Sequence, residues 1–208
     1  MSTVAVPGDA LTAVILAGGR ARRLGGVHKP LLEVAGQTIL ARELAVLSPR
    51  ASRVLLSTND PALAGQGVEA VADATPGQGP LGGIAAAMAA ATTPWLLVVA
   101  GDLPLLSGTV IDLLLARAGS DVDAVAPFVG DWPEPLCALY ATRARPELVR
   151  RLATGELKVA RLLTDGVLRV TRVDEAALRA VDPELASLLN VNEPADLARA
   201  QALLKRNG

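Results

Sequence analysis

The apolar run Trp95-Leu-Leu-Val-Val-Ala100 constrains the fold of this chain more than any other stretch. Because every side chain in it is apolar, a strand formed here must be covered on both faces. Such strands are typical of the centre of a parallel sheet that has helices on both sides. The segment Gly101-Asp-Leu-Pro104 follows directly and marks the point where the strand ends.

Further apolar runs alternate with one-sided helical patterns over the first 130 residues. The predicted strands there cover residues 13–16, 53–56, 69–72 and 124–127. The predicted helices begin at Thr38, within or after the glycine-rich segment 76–83, and near Thr109. Beyond them we predict strands over 136–140 and 168–173 and helices over 146–152, 159–163 and 194–205. The alternation predicts an α/β domain with a doubly wound, mostly parallel sheet flanked by helices.

The length of 208 residues suits one domain with a sizeable core. We expect that domain to cover residues 11–208, after a loose leader formed by residues 1–10. No signal-like segment opens the chain, and no uninterrupted apolar run reaches about 18 residues. We therefore expect a soluble cytoplasmic protein with no membrane partner.

Composition excludes several classes of function. The net charge of −1 argues against a general surface for nucleic acids or anionic membranes. Cys137 is the only cysteine and His28 the only histidine, which excludes an internal disulfide and a His/Cys metal cage. Cys137 lies between apolar neighbours and is interpreted as packed core rather than as a nucleophile.

A loop rich in glycine and arginine follows the first strand. Its glycines are Gly18, Gly19, Gly25 and Gly26, and its cations are Arg20, Arg22, Arg23 and Lys29. Glycines let backbone amides approach a ligand closely, and the cations supply the charge that a polyphosphate requires. The loop predicts a nucleotide-phosphate site, although a solvated arginine-rich turn is the alternative. It matches neither the P-loop spacing nor the dinucleotide Gly-x-Gly-x-x-Gly spacing.

Polar residues follow the predicted strands at the points where they end. These are Ser57, Asn59, Asp73 and Asp102, and the glycines Gly18 and Gly19 stand at the corresponding place after the first strand. Ligands of open α/β sheets bind outside the carboxyl ends of the strands, so these residues are expected to line one site.

Two carboxylates and one lysine are the main candidates for chemistry. Asp102 suits Mg²⁺, which prefers carboxylate oxygens and shares its shell with water and substrate phosphates; the alternative is a helix cap. Asp73 is expected to bind base or sugar donors or to cap the turn after it. Lys29 offers a charge to a phosphate, or is simply solvated. No role is assigned to His28.

The loop Leu16-Ala-Gly-Gly-Arg-Ala-Arg-Arg-Leu-Gly-Gly-Val-His-Lys29 resembles the signature of molybdenum cofactor guanylyltransferases, nucleotidyltransferases of glycosyltransferase-A-like fold. The similarity continues, in the same order, through nearly the whole chain. It includes Asp73, Gly79-Pro-Leu-Gly-Gly83, Gly101-Asp-Leu-Pro104, Glu134-Pro-Leu-Cys-Ala-Leu-Tyr140 and Asn190-Val-Asn-Glu-Pro194.

The resemblance implies transfer of GMP from GTP to molybdopterin carrying molybdenum, with Mg²⁺ as cofactor and pyrophosphate as second product. The implied nucleotide-binding residues are Leu16, Ala17, Gly18, Gly19, Arg20, Lys29, Ser57, Asp73 and Asp102. The implied catalytic residues are Arg23, Lys29 and Asp102, with Asp102 as metal ligand. Asn190 and Asn192 are expected on the acceptor side, so that residues 11–130 bind the nucleotide and residues 131–208 the acceptor. A molybdopterin-delivery protein or a recipient molybdoenzyme is the implied protein partner.

The chain departs from the family pattern at Ser57, where relatives often carry asparagine in the nucleoside pocket, and at His28 and Gly101. Alternatives are therefore a cytidylyltransferase for the same cofactor, another small-molecule nucleotidyltransferase, or a catalytically silent nucleotide-binding adaptor. The sequence Ala17-Gly18-Gly19 favours guanine, because cytidylyl relatives tend to read Ala-Ala-Gly there.

Overall fold

A computed structural model describes residues 8–18, 20–21, 27–73, 75 and 77–207. The strands are β1 (Leu11–Leu16), β2 (Arg20–Ala21), β3 (Val27–His28), β4 (Glu33–Val34), β5 (Gln37–Thr38), β6 (Arg53–Ser57), β7 (Glu69–Val71), β8 (Trp95–Ala100), β9 (Ala124–Val129), β10 (Trp132–Pro133), β11 (Cys137–Ala141) and β12 (Val170–Val173). The α-helices are α1 (Ile39–Leu47), α2 (Pro61–Ala64), α3 (Gly79–Ala90), α4 (Gly108–Leu115), α5 (Arg145–Thr154), α6 (Val159–Leu162), α7 (Glu175–Val181) and α8 (Pro194–Asn207).

Within these residues, eight strands form one mixed sheet in the order β10-β9-β11-β8-β1-β6-β7, with β12 beside β9. The pairs β1–β6, β1–β8, β6–β7 and β9–β12 are parallel, whereas β11 runs antiparallel to both β8 and β9. The predicted α/β sheet, mostly parallel and flanked by helices, is confirmed. The short pairs β2–β3 and β4–β5 are separate hairpins.

Strand β8 lies inside the sheet, as its apolar run predicts, and all six of its residues are buried. Alternate side chains enter different cores: Leu97 and Val99 pack on one face, and Leu96 and Val98 on the other. Helices α1, α4 and α7 cover the first face, while α3, α5 and α6 cover the second. The sheet is therefore covered on both sides, which explains why β8 carries no polar residue.

The helix boundaries follow local capping. Thr38 Oγ1 accepts a hydrogen bond from Ala41 N at 3.2 Å, so α1 begins where the sequence predicts. Ser107 caps α4 in the same way. Helix α3 begins at Gly79, inside the glycine-rich segment rather than after it. Helix α7 was not predicted, because Leu178 is its only buried residue and its sequence shows no apolar period.

The last three residues of the predicted leader, Gly8–Ala10, form a 3-10 helix. Ser52 N donates to Gly8 O at 2.9 Å, which ties this turn to the rest of the domain. Residues 1–7 lie outside the described part of the chain. In the described residues, none of the helices has both the length and the apolar character needed to cross a bilayer.

Candidate active site at the carboxyl edge of the sheet

The parallel strands end at one edge of the sheet and bring the predicted site residues together. Leu16 at the end of β1 lies opposite Ser57 of β6 and Ala100 of β8. Beside this edge is a cavity of about 620 Å³. Among the residues that line it are Leu16, Ala17, Gly18, Lys29, Ser57, Asp73 and Asp102. Gly18, Ser57, Asp73 and Asp102 were expected there from their places after predicted strands.

The floor of the cavity is backbone held by hydrogen bonds. Ala17 N donates to Ser57 O at 2.9 Å, and Gly101 N donates to Leu16 O at 3.0 Å. A Cβ at Gly101 would lie 3.0 Å from both Leu16 O and Pro30 Cγ, so this position accepts a larger residue only if its neighbours shift. Around Gly18, in contrast, the space is open.

One end of the cavity, here called the phosphate end after its predicted role, is lined by Lys29 and Asp102, and Asn192, which does not itself line the cavity, contacts Lys29. Lys29 Nζ donates to Asp102 Oδ2 at 2.7 Å and to Asn192 Oδ1 at 2.5 Å. The Lys29 and Asp102 side chains are only 17% and 15% exposed, so their ion pair is partly shielded from water. Shielding strengthens electrostatic interactions with a charged ligand.

Asp102 keeps one oxygen available. Its Oδ1 atom is buried and makes no hydrogen bond to the residues that the structure describes. A buried carboxylate oxygen without a partner suits a cation or a water molecule. The described residues contain no group of three or more His, Cys, Asp or Glu side chains placed to hold a metal, so a cation here would take its remaining ligands from water and substrate.

Ser57, Asn59 and Asp73 line the cavity at the ends of β6 and β7, on the other side of β1 from β8, and are here called the nucleoside end after their predicted role. Asn59 Oδ1 accepts a hydrogen bond from Asp73 N at 3.0 Å. Burial raises the pKa of Asp73, and hydrogen bonds from the Asn59 and Ser57 side chains oppose that rise. A Cβ at Gly83 would lie 2.5 Å from Ser57 Oγ, so a larger residue there would displace the Ser57 hydroxyl where α3 passes the end of β6.

His28 and Asp60 also line the cavity, although neither had a predicted role. His28 Nε2 lies 3.3 Å from Asp60 Oδ2. Asp60 follows β6 within a turn-forming segment, and its carboxylate also caps α2 by accepting from Ala62 N. The place of Asp60 three residues after the end of a strand could have indicated a residue of the site. Helix capping alone also explains an aspartate at that place, so the sequence did not single it out.

Glu43 is a further polar residue that sequence patterns did not single out. It is fully buried on α1, and its Oε1 accepts a hydrogen bond from Leu103 N, next to Asp102, at 3.2 Å. Burial, and to a smaller extent the charge of Asp102, raises the pKa of Glu43 well above its ordinary value. A buried carboxyl therefore supports the backbone directly beneath the phosphate end.

The remaining predicted residues are not all at the cavity. Gly19 and Arg23 lie outside the described residues, and so does the side chain of Arg20. Asn190 does not line the cavity, and its Nδ2 donates to Leu188 O at 3.5 Å. The assignment of Asn190 to the acceptor stays a prediction.

Comparison with known proteins identifies the family. Residues 13–170 match the family described as the MobA-like NTP transferase domain. The molybdenum cofactor guanylyltransferase of Desulfosudis oleivorans is 32% identical over 198 residues, which cover 95% of this chain and 97% of that protein. The chain belongs to the molybdenum cofactor guanylyltransferase family. The family resemblance of its motifs is therefore confirmed.

Other relatives agree with this membership. The molybdenum cofactor guanylyltransferase of Serratia proteamaculans is 35% identical, covering 93% of this chain and 95% of that protein. The crystal structure of molybdopterin-guanine dinucleotide biosynthesis protein A from Archaeoglobus fulgidus is similar with a TM-score of 0.76 and 29% identity, covering 94% of this chain and 99% of that one. The 2-C-methyl-D-erythritol 4-phosphate cytidylyltransferase of Thermus thermophilus has a TM-score of 0.65 at 20% identity, a likeness of fold alone, and covers 92% of this chain and 98% of that one.

Proposed function

We propose that this protein transfers GMP from GTP to the terminal phosphate of molybdopterin carrying molybdenum, releasing pyrophosphate. The observation that carries the proposal is the cavity of a guanylyltransferase-family chain, with a lysine–aspartate pair at one end and hydrogen-bonding side chains at the other. Such a cavity offers charge neutralisation for a polyphosphate beside a recognition site for a nucleoside.

GTP is proposed to lie along the cavity with its guanosine at the nucleoside end. Asp73 and Ser57 present a carboxylate and a hydroxyl there, which accept hydrogen bonds from donors on the base or the sugar. The triphosphate is proposed to lie at the phosphate end, over Lys29 and the backbone of Leu16, Ala17 and Gly18. The predicted contributions of Gly19, Arg20 and Arg23 belong to this same proposal.

The reaction forms one bond and breaks one. An oxygen of the acceptor phosphate bonds to the α-phosphorus of GTP, and the bond from that phosphorus to the bridging oxygen of pyrophosphate breaks. Because the acceptor is already an anion, no strong base is needed, and repulsion between two anions is the main barrier. Lys29 lowers that barrier by placing a positive charge beside the phosphates.

A covalent enzyme intermediate is not part of the proposal. Cys137, the single cysteine of the chain, is fully buried, and burial raises the pKa of its thiol to about 12. The thiolate is the nucleophilic form, so Cys137 is inert at neutral pH. Direct transfer between the two bound substrates is the simpler route.

Asp102 is proposed to hold Mg²⁺, which supplies positive charge at the phosphates and orients them. Its buried, unpartnered Oδ1 fits an oxygen ligand for this ion. A single protein carboxylate is enough when phosphate oxygens and water complete the shell, as Mg²⁺ usually requires. While no ion is bound, Lys29 balances the charge of Asp102.

The acceptor is proposed to approach from the side of residues 131–208, with Asn190 and Asn192 as its predicted contacts. We also propose that the protein works in the cytoplasm, where GTP is supplied. Because molybdopterin is an intermediate that must be passed on, a delivery protein or a recipient molybdoenzyme is the proposed protein partner.

A nucleotide panel tests this proposal. The protein is incubated with Mg²⁺, molybdopterin carrying molybdenum and one of GTP, CTP, ATP or UTP, and pyrophosphate release is measured. We expect release with GTP at least about tenfold faster than with the others, since a lost polar contact at a base-reading site typically removes that much. Preference for CTP would replace the donor in the proposal, and nucleotide binding without release would favour the adaptor.

A further inference from the structure

The segment that precedes α8 is attached to the phosphate end by two independent contacts. Val191 N donates to Asp102 O at 3.0 Å, and Asn192 Oδ1 accepts from Lys29 Nζ at 2.5 Å. Lys29 also donates to Asp102 Oδ2 at 2.7 Å. Lys29 is therefore shared between the carboxylate of Asp102 and the amide of Asn192, a residue 163 positions away in sequence.

Asn192 is held in place from both sides. Its backbone N donates to Asp196 Oδ2 at 2.9 Å, in the first turn of α8. Its neighbour Val191 is completely buried in a small core with Val34, Ile39 and Ala200. The amide oxygen of Asn192 is thus presented to Lys29 from a fixed backbone.

The donor count of Lys29 indicates what this arrangement does. An ammonium group has three N–H donors and no acceptor. Asp102 and Asn192 take two of them, and no third partner occurs among the residues that the structure describes. With two donors fixed in direction, the third has a defined direction available for a phosphate oxygen.

We infer that Asn192 is a positioning residue for the donor nucleotide, acting through Lys29 on the triphosphate. This inference rests on the proposed function, and it gives Asn192 an effect on the GTP side in addition to the acceptor contact that sequence motifs predict. A neutral amide suits the task because it orients the ammonium group without cancelling its charge. A carboxylate at the same place would compete with the phosphates for Lys29.

Titration of GTP into the protein in the absence of acceptor tests the inference. We compare the wild type with Asn192→Ala, Lys29→Met and the double variant, and we use Gln201→Ala, which removes a neutral amide on α8, as the matched control. Asn192→Ala is expected to weaken GTP binding about tenfold, the size expected for a hydrogen bond that orients a charged group. Gln201→Ala, at a residue of α8 that does not line the cavity, is expected to stay within about twofold of the wild type.

The double variant separates positioning from general damage. If Asn192 acts through Lys29, then Asn192→Ala has no further effect on GTP affinity once Lys29 is methionine. A local unfolding of the segment would weaken binding equally in both backgrounds, and that outcome overturns the inference. Unchanged GTP binding by Asn192→Ala overturns it as well, especially if the KM for molybdopterin rises instead.

The coupling between Lys29 and Asn192 can be measured whichever nucleotide the protein uses. If the nucleotide panel shows a preference for CTP, the GTP assignment of the proposed function fails. The coupling between Lys29 and Asn192 is then measured with CTP, because both residues address phosphates and not the base.

Discussion

The two ends of the cavity are built differently. At the nucleoside end, Ser57 ends β6, Asn59 follows it and Asp73 follows the neighbouring strand β7, so these residues lie within 16 positions of one another in sequence. At the phosphate end, Lys29, Asp102 and Asn192 come from three distant parts of the chain, separated by 73 and 163 positions from Lys29. The first end is assembled by local strand endings, and the second only by the complete fold.

The two ends of the cavity also differ in charge, in keeping with the different parts of the nucleotide that they are proposed to bind. Side chains of the nucleoside end are joined through hydrogen bonds to one another, which suits reading of a polar base. The phosphate end pairs a cation with an anion and leaves Asp102 Oδ1 without a partner. Substitutions at the phosphate end are therefore expected to lower turnover as well as binding, whereas those at the nucleoside end are expected to change binding alone.

The largest effect is expected from Asp102→Ala. Removing the carboxylate removes the proposed Mg²⁺ ligand and a main electrostatic stabiliser, so turnover is expected to fall roughly 10²-fold or more. The measurement is pyrophosphate release at saturating GTP and Mg²⁺. Asp102→Asn, which retains the shape of the side chain, is the control, and it is expected to be similarly impaired because it lacks the charge. Near-wild-type turnover in Asp102→Ala would contradict the assignment of this end to catalysis.

Lys29→Met is expected to come next. The variant keeps a side chain of similar length but loses the charge, and hydrogen bonds to charged groups contribute about 1.5–3 kcal/mol. We expect kcat/KM for GTP to fall about 10- to 100-fold in initial-rate assays. If only the KM for molybdopterin changed, Lys29 would belong to the acceptor and the two ends would need to be reassigned.

A smaller effect is expected at the nucleoside end. Asp73→Asn removes the anionic acceptor while keeping the size of the side chain, so the KM for GTP is expected to rise about tenfold with kcat within about twofold. Ser57→Ala, which removes a neutral hydroxyl, is expected to raise the KM about threefold. Steady-state kinetics with GTP as the varied substrate measure both values. A fall in kcat of about tenfold or more in Asp73→Asn would contradict the division of the cavity into two ends.

The smallest effect is expected at Glu43, the buried carboxyl beneath the phosphate end. The nucleoside end, formed by Ser57, Asn59 and Asp73, has no fully buried carboxyl of this kind. Because its folded-state pKa is raised, its contribution to stability is fully present below the unfolded-state pKa and is lost as the pH rises through the folded-state value. Glu43→Gln does not titrate and keeps an acceptor for Leu103 N. The free energy of unfolding of Glu43→Gln, relative to that of the wild type, is therefore expected to increase as the pH rises to the folded-state pKa of Glu43. The total increase is expected to be about 1.4 kcal/mol for each unit by which folding raises the pKa of Glu43.

Urea unfolding of both proteins at several pH values between about 4 and 8 measures this difference. Glu43→Leu, which leaves Leu103 N without its partner, is expected to be less stable than Glu43→Gln throughout. Parallel stability curves for Glu43→Gln and the wild type would mean that Glu43 does not titrate differently in the folded state.

The sequence allowed most of the fold and one end of the cavity to be predicted. Apolar runs such as β8 and capping residues such as Thr38 determine local structure, so their positions were predicted to within a few residues. The antiparallel direction of β11 was not predicted, because an apolar run has the same pattern in either direction. Helix α7 shows no apolar period and was missed for that reason.

The residues of the site also separate into those that local sequence predicts and those that it does not. Ser57, Asp73 and Asp102 were predicted from their places after strands, and they line the cavity. The contact of Asn192 with Lys29 and the burial of Glu43 had no local signal, since both depend on packing between distant segments. Glu43 in particular occupies a helical position whose polarity alone suggests the exposed face.

A crystal structure of the protein with a non-hydrolysable GTP analogue and Mg²⁺ tests the division of the cavity most directly. We expect guanosine beside Ser57 and Asp73, the phosphates beside Lys29, and the metal ion on Asp102. Analogue bound away from this cavity, or bound with its base at Lys29 and Asp102, would contradict it.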